Sequence, residues 1–357
     1  MEKNIIELSK KLISIPSSKE NIKALEEVLV VADEHLDGIK SKKFKSKGVP
    51  SVLYYNTSTL PKRFKIILNA HLDIVPGKGS QYKASTKGGK LFGRGTNDMK
   101  GAAAVMVLVF KELAKKVNYP LGLQLVTDEE TGGFSGTKYQ IEKGIRADFV
   151  IAGEPTDFGV NSKAKGIVWS KVKARGKSAH GAYPWHGENA IEKINLFLSS
   201  LYKKFPIPKN EEWKTTINVA RVESSNETFN KVPDECEVWL DVRYIPEDSD
   251  TIIQGLKKLV PKGMELEILL KEPAQTTDEK NTYVQKLRVS TQKITGKLAP
   301  IIVKHGASDI RHYNKVGCEG ITFGPVGAGM HTDNEWVDIK SLEDYYQILK
   351  HFLLSLN

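Results

Sequence analysis

The sequence predicts an α/β fold, in which a mostly parallel sheet is covered by helices on both faces, with a smaller α+β domain inserted into it. Before residue 165 and after residue 273, apolar strand-like runs alternate with helical stretches, which is typical of such sheets. Between those residues the strand and helix patterns follow the order βαββαβ, as in ferredoxin-like domains. We therefore predict one domain from residues 1–164 and 274–357, and an inserted domain from residues 165–273.

The larger domain opens with a predicted helix, because Ile and Leu recur at helical spacing in MEKNIIELSKKLISIP. Three apolar runs predict strands: FKIILNA ends before His71, LGLQLVT ends before Asp128, and DFVIAG ends before Glu154. A helix is predicted between the first two strands, over residues 99–116. Ligands of parallel sheets bind beyond the carboxyl ends of the strands. An acid or histidine directly after each strand therefore indicates a functional site there.

The inserted domain begins with IVWSKVKAR, whose alternating pattern predicts a strand, followed by a helix in ENAIEKINLFLSSLYKK. TTINVARVES and CEVWLDVRY predict two further strands. A helix near residues 250–259 and a strand in MELEILLKE complete the βαββαβ order.

The composition narrows the class of protein. Of the 357 residues, 40% are hydrophobic, and no apolar run approaches the roughly 18 residues that span a bilayer. The amino-terminal segment also lacks the apolar core and cleavage site of a signal peptide. The two cysteines, Cys236 and Cys318, are too few and too far apart for a disulfide framework or a CxxC metal site. We expect both to be buried, in a cytoplasmic protein without a membrane partner.

The net charge of +10 raises the question of nucleic-acid binding, since basic surfaces attract anionic partners. The densest basic stretch, residues 40–47, holds five lysines and a single aromatic residue, Phe44. No nucleic-acid motif surrounds it. A solvated, lysine-rich face is the favoured interpretation, and no nucleic-acid partner is expected.

His71, Asp73 and Asp98 are the first candidate site residues. At the end of an extended strand, residues 71 and 73 face the same way. A histidine that binds a metal usually donates its other ring N–H to a carboxylate, so Asp73 could orient His71. A surface histidine beside an acid is the alternative. Asp98 lies in GRGTNDMKG, directly before a predicted helix, and could bind a metal or cap that helix.

Four further candidates follow later strands. Glu129 and Glu130 are adjacent carboxylates, which repel one another unless a cation is near. One could bind a metal while the other takes a proton from water, and an exposed acidic loop is the alternative. Glu154, taken alone, would be read as an exposed acid at a strand end, and a lone histidine such as His331 usually carries little meaning. Together these positions supply two imidazoles and several carboxylates without thiolates, which suits zinc and also cobalt or manganese.

Six segments resemble the M20 metallopeptidases, and within them the branch of succinyl-diaminopimelate desuccinylase and acetylornithine deacetylase. They are HLDIVP, GRGTNDMKG, TDEETGG, IAGEPT, GKSAHGAYP and GMHTDNEWV, which follow the family's order between residues 71 and 337. The resemblance implies a fold of the di-zinc peptidase type, with a catalytic domain and an inserted lid and dimerisation domain. Both predicted domains match that architecture.

The resemblance also implies two divalent ions, with zinc as the expected metal. It implies five ligands: His71 and Glu154 on one ion, Glu130 and His331 on the other, and Asp98 bridging them. Glu129 would be the general base and Asp73 the partner that orients the histidine. His180 resembles an inserted-domain histidine that stabilises the tetrahedral intermediate, in family dimers from the opposite subunit. A homodimer is therefore expected.

Four residues resemble the family's substrate-binding positions: Arg243, Asn230, Gly306 and Ser308. An ordinary strand-edge arginine and a loop asparagine are the alternatives for the first two. The last two lie in HGASDIRHY, which resembles a substrate-contacting loop.

Two positions bear on the substrate that the resemblance implies. Glu154 favours the desuccinylase and deacetylase branch over tripeptidases, which use aspartate there. Gly327 departs from desuccinylases, which carry asparagine before the last ligand histidine. We predict a hydrolase of amino-acid metabolism that cleaves the amide bond of a small N-acyl amino acid or short peptide. A carboxypeptidase or dipeptidase on the same scaffold is the alternative, and a non-catalytic binding protein is a weaker one.

Overall fold

The structure, a computed structural model, describes all 357 residues and divides them into two compact units. The first unit comprises residues 1–163, 276–302 and 308–357. The second unit comprises residues 164–275 and 303–307. The sequence placed the inserted domain at residues 165–273 and assigned residues 303–307 to the larger domain.

Nine α-helices form, and none is long and apolar enough to cross a membrane. In chain order they are α1 Glu2–Ile13, α2 Ile22–His35, α3 Gly101–Leu113, α4 Thr137–Glu142, α5 Ala190–Lys204, α6 Ile252–Leu259, α7 Thr282–Thr295, α8 Ile310–Asn314 and α9 Ile339–Leu354. Helix α3 begins two residues later than predicted, because Asp98 and Met99 have non-helical backbone angles.

Seventeen strands form three sheets. In chain order they are β1 Lys40–Ser46, β2 Val49–Tyr55, β3 Phe64–His71, β4 Ser85–Lys87, β5 Lys90–Phe92, β6 Leu121–Val126, β7 Ala147–Ala152, β8 Val160–Ala164, β9 Gly166–Arg175, β10 Thr216–Ser224, β11 Glu235–Tyr244, β12 Met264–Glu272, β13 Gln275–Thr276, β14 Ile301–Lys304, β15 Glu319–Thr322, β16 Gly327–Ala328 and β17 Trp336–Asp338.

The largest sheet has nine strands in the order β1-β2-β6-β3-β7-β15-β8-β13, and β14 pairs with β8. Its centre is parallel, since β6, β3, β7 and β15 all run in one direction. On either side of this centre, the pairs β1–β2, β2–β6 and β15–β8 are antiparallel. The prediction of a mostly parallel central sheet is therefore confirmed.

Helices cover both faces of this sheet, as the alternation along β3 demonstrates. Ile66 and Leu68 belong to the core formed with α1, α3 and α9, whereas Ile67 belongs to a second core formed with α4 and α8. Successive side chains of a strand point to opposite faces, so each face has its own apolar layer. Burial on both faces explains why β3, β6 and β7 read as nearly continuous apolar runs.

A buried lysine joins α1 to the segment that precedes α3. Lys100 is fully buried, and its Nζ donates to the carbonyl oxygens of Leu12 and Ile15 at 2.9 and 2.8 Å. Leu12 lies in the last turn of α1, where carbonyls lack partners within the helix. Burial lowers the pKa of Lys100 to about 7. These bonds fix the position of the loop that leads into α3.

The second unit carries a four-stranded antiparallel sheet in the order β10-β11-β9-β12. Its elements follow the predicted order βαββαβ along the chain. Val238, Leu240 and Val242 alternate along β11 and pack in one core with Ile194 and Phe197 of α5. The α+β character of this region is therefore confirmed.

Candidate metal centre

The parallel register of three strands brings the predicted site residues to one edge of the central sheet. His71, the last residue of β3, lies opposite Val126, the last residue of β6. On the other side of β3, Asn69 lies opposite Ala152, the last residue of β7. The segments that follow β6 and β7 therefore emerge beside His71, with Glu129 and Glu130 on one and Glu154 on the other.

Five side chains form two groups that share Asp98. In the first, His71 Nε2 lies 3.0 Å from Asp98 Oδ1 and 3.7 Å from Glu154 Oε1. In the second, His331 Nε2 lies 3.1 Å from Asp98 Oδ2 and 3.2 Å from Glu130 Oε1. Within each group the potential ligand atoms lie within 4.8 Å of one another. The carboxylate of Asp98 thus has one oxygen toward each imidazole.

Asp98 does not cap the helix that follows it. The N-cap of α3 is Lys100, and Asp98 has an extended backbone with φ −122° and ψ 93°. Its side chain instead lies toward the two histidines and is 8% exposed. The capping alternative for Asp98 is therefore wrong.

Asp73 contacts both His71 and the loop that follows β6. The backbone oxygen of Asp73 lies 3.0 Å from His71 Nδ1, and its carboxylate Oδ1 lies 3.6 Å away. The carboxylate accepts hydrogen bonds from the backbone N–H groups of Glu129 and Glu130 at 3.2 and 3.0 Å. The closest contact to the His71 ring therefore comes from the main chain, while the carboxylate of Asp73 positions the two glutamates.

The electrostatics of the two groups favour positive charge on the histidines. Burial lowers the pKa of His71, but hydrogen bonds to Asp73 and Asp98 outweigh burial and raise it well above its usual range. Hydrogen bonds to Asp98 and Glu130 raise the pKa of His331 to about 10. Burial raises the pKa of Asp98, but the hydrogen bonds and charges of the two imidazoles together have the larger effect. The pKa of Asp98 therefore lies below its usual range. Each imidazole therefore compensates the negative charge of the carboxylates around it.

Glu129 belongs to neither group. Burial, followed by the charge of Glu154, raises the pKa of Glu129 well above its usual range. A carboxyl with a raised pKa is suited to accept a proton near neutral pH. Its neighbour Glu130 contacts His331, so the adjacent glutamates have different surroundings.

The donors present fit divalent metal ions. Each group offers one imidazole nitrogen and carboxylate oxygens, and neither contains a thiolate. Nitrogen and oxygen donors in this mixture suit zinc and also cobalt or manganese. The two groups are therefore candidate metal sites that share one carboxylate.

The segment HGASDIRHY, which was predicted to contact substrate, forms hydrogen bonds with the loop that carries Glu129 and Glu130. Arg311 Nη2 and His312 Nε2 both contact the carbonyl oxygen of Gly132, at 2.6 and 2.9 Å. Arg311 Nη1 also donates to the carbonyl of Ser308 at 2.6 Å, and the Ser308 side chain is buried. Sequence reasoning missed these supporting residues, because nothing local to HGASDIRHY indicates a partner almost 180 residues away.

The remaining predicted residues divide between the two units. Ser308 belongs to the first unit, whereas His180, Asn230, Arg243 and Gly306 belong to the second. His180 and Asn230 are exposed, and the imidazole Nδ1 of His180 accepts from the backbone N–H of Ala182.

Arg243 lines a pocket of about 480 Å³ within the second unit. Its guanidinium pairs with Asp241 through bonds of 2.9 and 3.1 Å. Lys165 lines the same pocket and is 2% exposed. Burial and the charge of Arg243 lower the pKa of Lys165.

Comparison with known proteins identifies the family. Residues 67–355 match the model of peptidase family M20/M25/M40. A succinyl-diaminopimelate desuccinylase of Sulfurimonas denitrificans is 27% identical over 371 residues, covering 98% of both chains. A probable carboxypeptidase of Emericella nidulans is 30% identical over 276 residues, covering 70% of this chain and 65% of that protein. The aminopeptidase PepT of Bacillus cereus has the same fold, with a TM-score of 0.84, 19% identity, and coverage of 100% and 99%.

The family match and the curated relatives indicate a hydrolase that acts on amide or peptide bonds. The chain belongs to peptidase family M20/M25/M40. The predicted family is therefore confirmed.

We predict that the two metal sites are lost together when Asp98 is changed, because both groups depend on its carboxylate. Asp98→Asn should retain fewer than about one zinc ion per chain, and Glu154→Gln about one, against about two in the wild-type protein. Metal content by mass spectrometry after dialysis measures this. Glu142→Gln, an exposed acid in α4, is the matched control and should keep the wild-type content. Equal loss in the Asp98 and Glu154 variants would contradict the sharing of Asp98.

Proposed function

We propose that this protein is a two-metal amidohydrolase that cleaves the amide bond of a small N-acyl amino acid. One observation carries the proposal: Asp98 lies between two histidines, each of which also faces a glutamate, and Glu129 stays outside both groups. His71 and Glu154 would hold one ion, Glu130 and His331 the other, with Asp98 in common. Zinc is the proposed metal, with cobalt or manganese as alternatives.

The chemistry is divided between the metals and the side chains. Two divalent ions, when bound, supply Lewis acidity that makes water a better nucleophile and polarises a carbonyl. Glu129 takes the proton of the attacking water and passes it to the leaving amine. Asp73 keeps His71 and the loop of Glu129 in place through its main-chain oxygen and carboxylate. His180 donates to the developing oxyanion, a contact type worth about 3 to 4 kcal/mol of barrier.

The proposed substrate carries a carboxylate. Arg243 offers a planar guanidinium that can bind a carboxylate with two parallel hydrogen bonds. The guanidinium of Arg243 is paired with Asp241, and the cation of Lys165, which is almost fully buried, adds a second positive charge that can attract an anion to the same pocket. Asn230, Gly306 and Ser308 are the other residues proposed to bind substrate.

Gly327 marks a difference from desuccinylases, which carry asparagine at the corresponding place. A Cβ atom added there would lie 2.1 Å from the side-chain oxygen of Asn97 and 2.6 Å from the carbonyl of Trp336. An asparagine at this position therefore does not fit without movement of both the Asn97 side chain and the main chain at Trp336. The desuccinylase of Sulfurimonas denitrificans supports an N-acyl substrate, whereas the probable carboxypeptidase of Emericella nidulans supports a peptide substrate as the second candidate.

We also propose that the first unit is catalytic and that the second acts as a lid and a dimerisation domain. The homodimer, the action of His180 in the opposite subunit and the cytoplasmic location stay predictions of the sequence. A role in amino-acid metabolism follows from the proposed substrate.

Metal removal on a substrate panel tests the proposed function. Purified protein, its chelated form and the form reloaded with zinc or cobalt would be assayed on N-acetyl and N-succinyl amino acids and on dipeptides. We expect activity to disappear with the metal and to return on reloading. Cleavage confined to dipeptides would select the peptidase alternative, and absence of metal binding after zinc supply would refute the proposal.

We predict that Glu129→Gln abolishes turnover and leaves metal content intact, because Glu129 lies in neither metal group. General bases contribute about 10²- to 10⁴-fold, so kcat should fall by at least that order. The neighbouring variant Glu130→Gln should instead lose metal, since Glu130 faces His331. Retained activity in the Glu129 variant would remove it as the base.

We predict that Arg243→Met raises KM for carboxylate-bearing substrates by roughly 10- to 100-fold, since hydrogen bonds to charged groups are worth about 1.5 to 3 kcal/mol. Steady-state kinetics on paired substrates, with a free carboxylate or its amide, measure the effect. Arg221→Met is the matched control, because Arg221 pairs with Glu223 on the exposed strand β10 of the same sheet. Equal changes for the acid and the amide would argue against carboxylate binding.

A further inference from the structure

Glu335 lies four residues after His331 and directly before β17, yet it belongs to neither metal group. Its side chain is 1% exposed, which is unusual for a glutamate. A buried carboxylate is costly unless donors surround its oxygens, so the partners of Glu335 indicate its role.

All of the hydrogen bonds to this carboxylate come from the loop that carries Asp98. Oε1 accepts from the backbone N–H groups of Asn97 and Asp98, at 3.0 and 3.1 Å. Oε2 accepts from the backbone N–H of Gly95 and from Arg94 Nη1, at 3.0 and 3.1 Å. Each oxygen therefore accepts two hydrogen bonds.

The loop needs these acceptors. Helix α3 begins only at Gly101, so the N–H groups of Gly95, Asn97 and Asp98 lie before it. The loop itself is buried, and a buried N–H without an acceptor costs about 1 to 3 kcal/mol. Successive N–H groups that converge on one anion form a nest, and Glu335 supplies that anion from within the chain.

The same carboxylate joins the two loops on which the second metal group depends. The backbone carbonyl of Glu335 accepts from the N–H of Gly93 at 3.2 Å, so main chain and side chain both bind the loop. His331 reaches Asp98 from the segment that contains Glu335. The distance between the imidazole of His331 and the carboxylate of Asp98 therefore depends on how firmly these loops are held together.

We propose that Glu335 is a positioning residue of the metal centre, which fixes the Asp98 carboxylate between His71 and His331 before any metal binds. The inference rests on the proposed two-metal function. Glu335 is not itself a ligand, because its oxygens are occupied by four N–H donors. Its effect is on metal affinity and acts through Asp98.

The variants Glu335→Gln and Asp338→Asn test the inference as a matched pair. Asp338 lies three residues later and accepts from the backbone N–H of Ser341 as the N-cap of α9, remote from the Asp98 loop in its contacts. Zinc affinity of the metal-free proteins would be measured by competition with a chromophoric chelator, and folding by thermal unfolding. We expect Glu335→Gln to weaken zinc binding by roughly 10- to 100-fold, the usual effect of losing a partner that orients a ligand. Asp338→Asn should bind zinc as the wild-type protein does.

The outcomes separate this inference from the proposed function. Wild-type affinity in a folded Glu335→Gln variant would overturn the inference alone. Absence of zinc binding by the wild-type protein would overturn the proposed function and the inference with it. Should Glu335→Gln not fold, hydrogen exchange of the metal-free wild-type protein decides. Slow exchange of the amides of Gly95, Asn97 and Asp98 supports a preformed loop, and rapid exchange overturns it.

Discussion

The hydrogen-bonded link from His71 through Asp98 to His331 is the interaction on which the candidate site depends. It joins the end of a central strand, the loop before α3 and a loop from the last part of the first unit. These three segments are far apart in sequence, and the parallel sheet brings only the first of them into place by itself. The other two are held by buried polar groups: Lys100 binds the end of α1, and Glu335 binds the amides of the Asp98 loop.

The main energetic cost of this arrangement is the concentration of negative charge. Carboxylates that gather at the carboxyl ends of buried strands repel one another, and each would be costly to bury without partners. Different groups compensate the charge of the different acids. Asp73 accepts from two backbone N–H groups and lies near one imidazole, and Glu335 accepts from three backbone N–H groups and from Arg94, whereas Asp98 and Glu130 face imidazoles. The sequence alone does not distinguish these surroundings.

Much of the fold and of the central site could be predicted because their signals are local. Buried parallel strands read as apolar runs, and each of three such runs is followed by an acid or histidine. The supporting residues give no such signal. Arg311 and Glu335 look like ordinary loop charges, and their partners are main-chain groups about 180 and 240 residues away. The register that creates these contacts is a property of the whole sheet. The capping interpretation of Asp98 failed for a related reason: the backbone turns away from helical angles at Asp98 and Met99, and local pattern does not encode that turn.

The second unit is connected through strands that are neighbours in the large sheet. The chain leaves along β8 and returns along β13, which lie side by side in the strand order. An insertion whose two ends meet at adjacent positions can be gained, lost or exchanged without reordering the host sheet. The unit that contains the candidate metal groups and the second unit can therefore diverge at different rates. Such separate divergence would allow relatives of this chain to include one named for the removal of a succinyl group and another named as a carboxypeptidase.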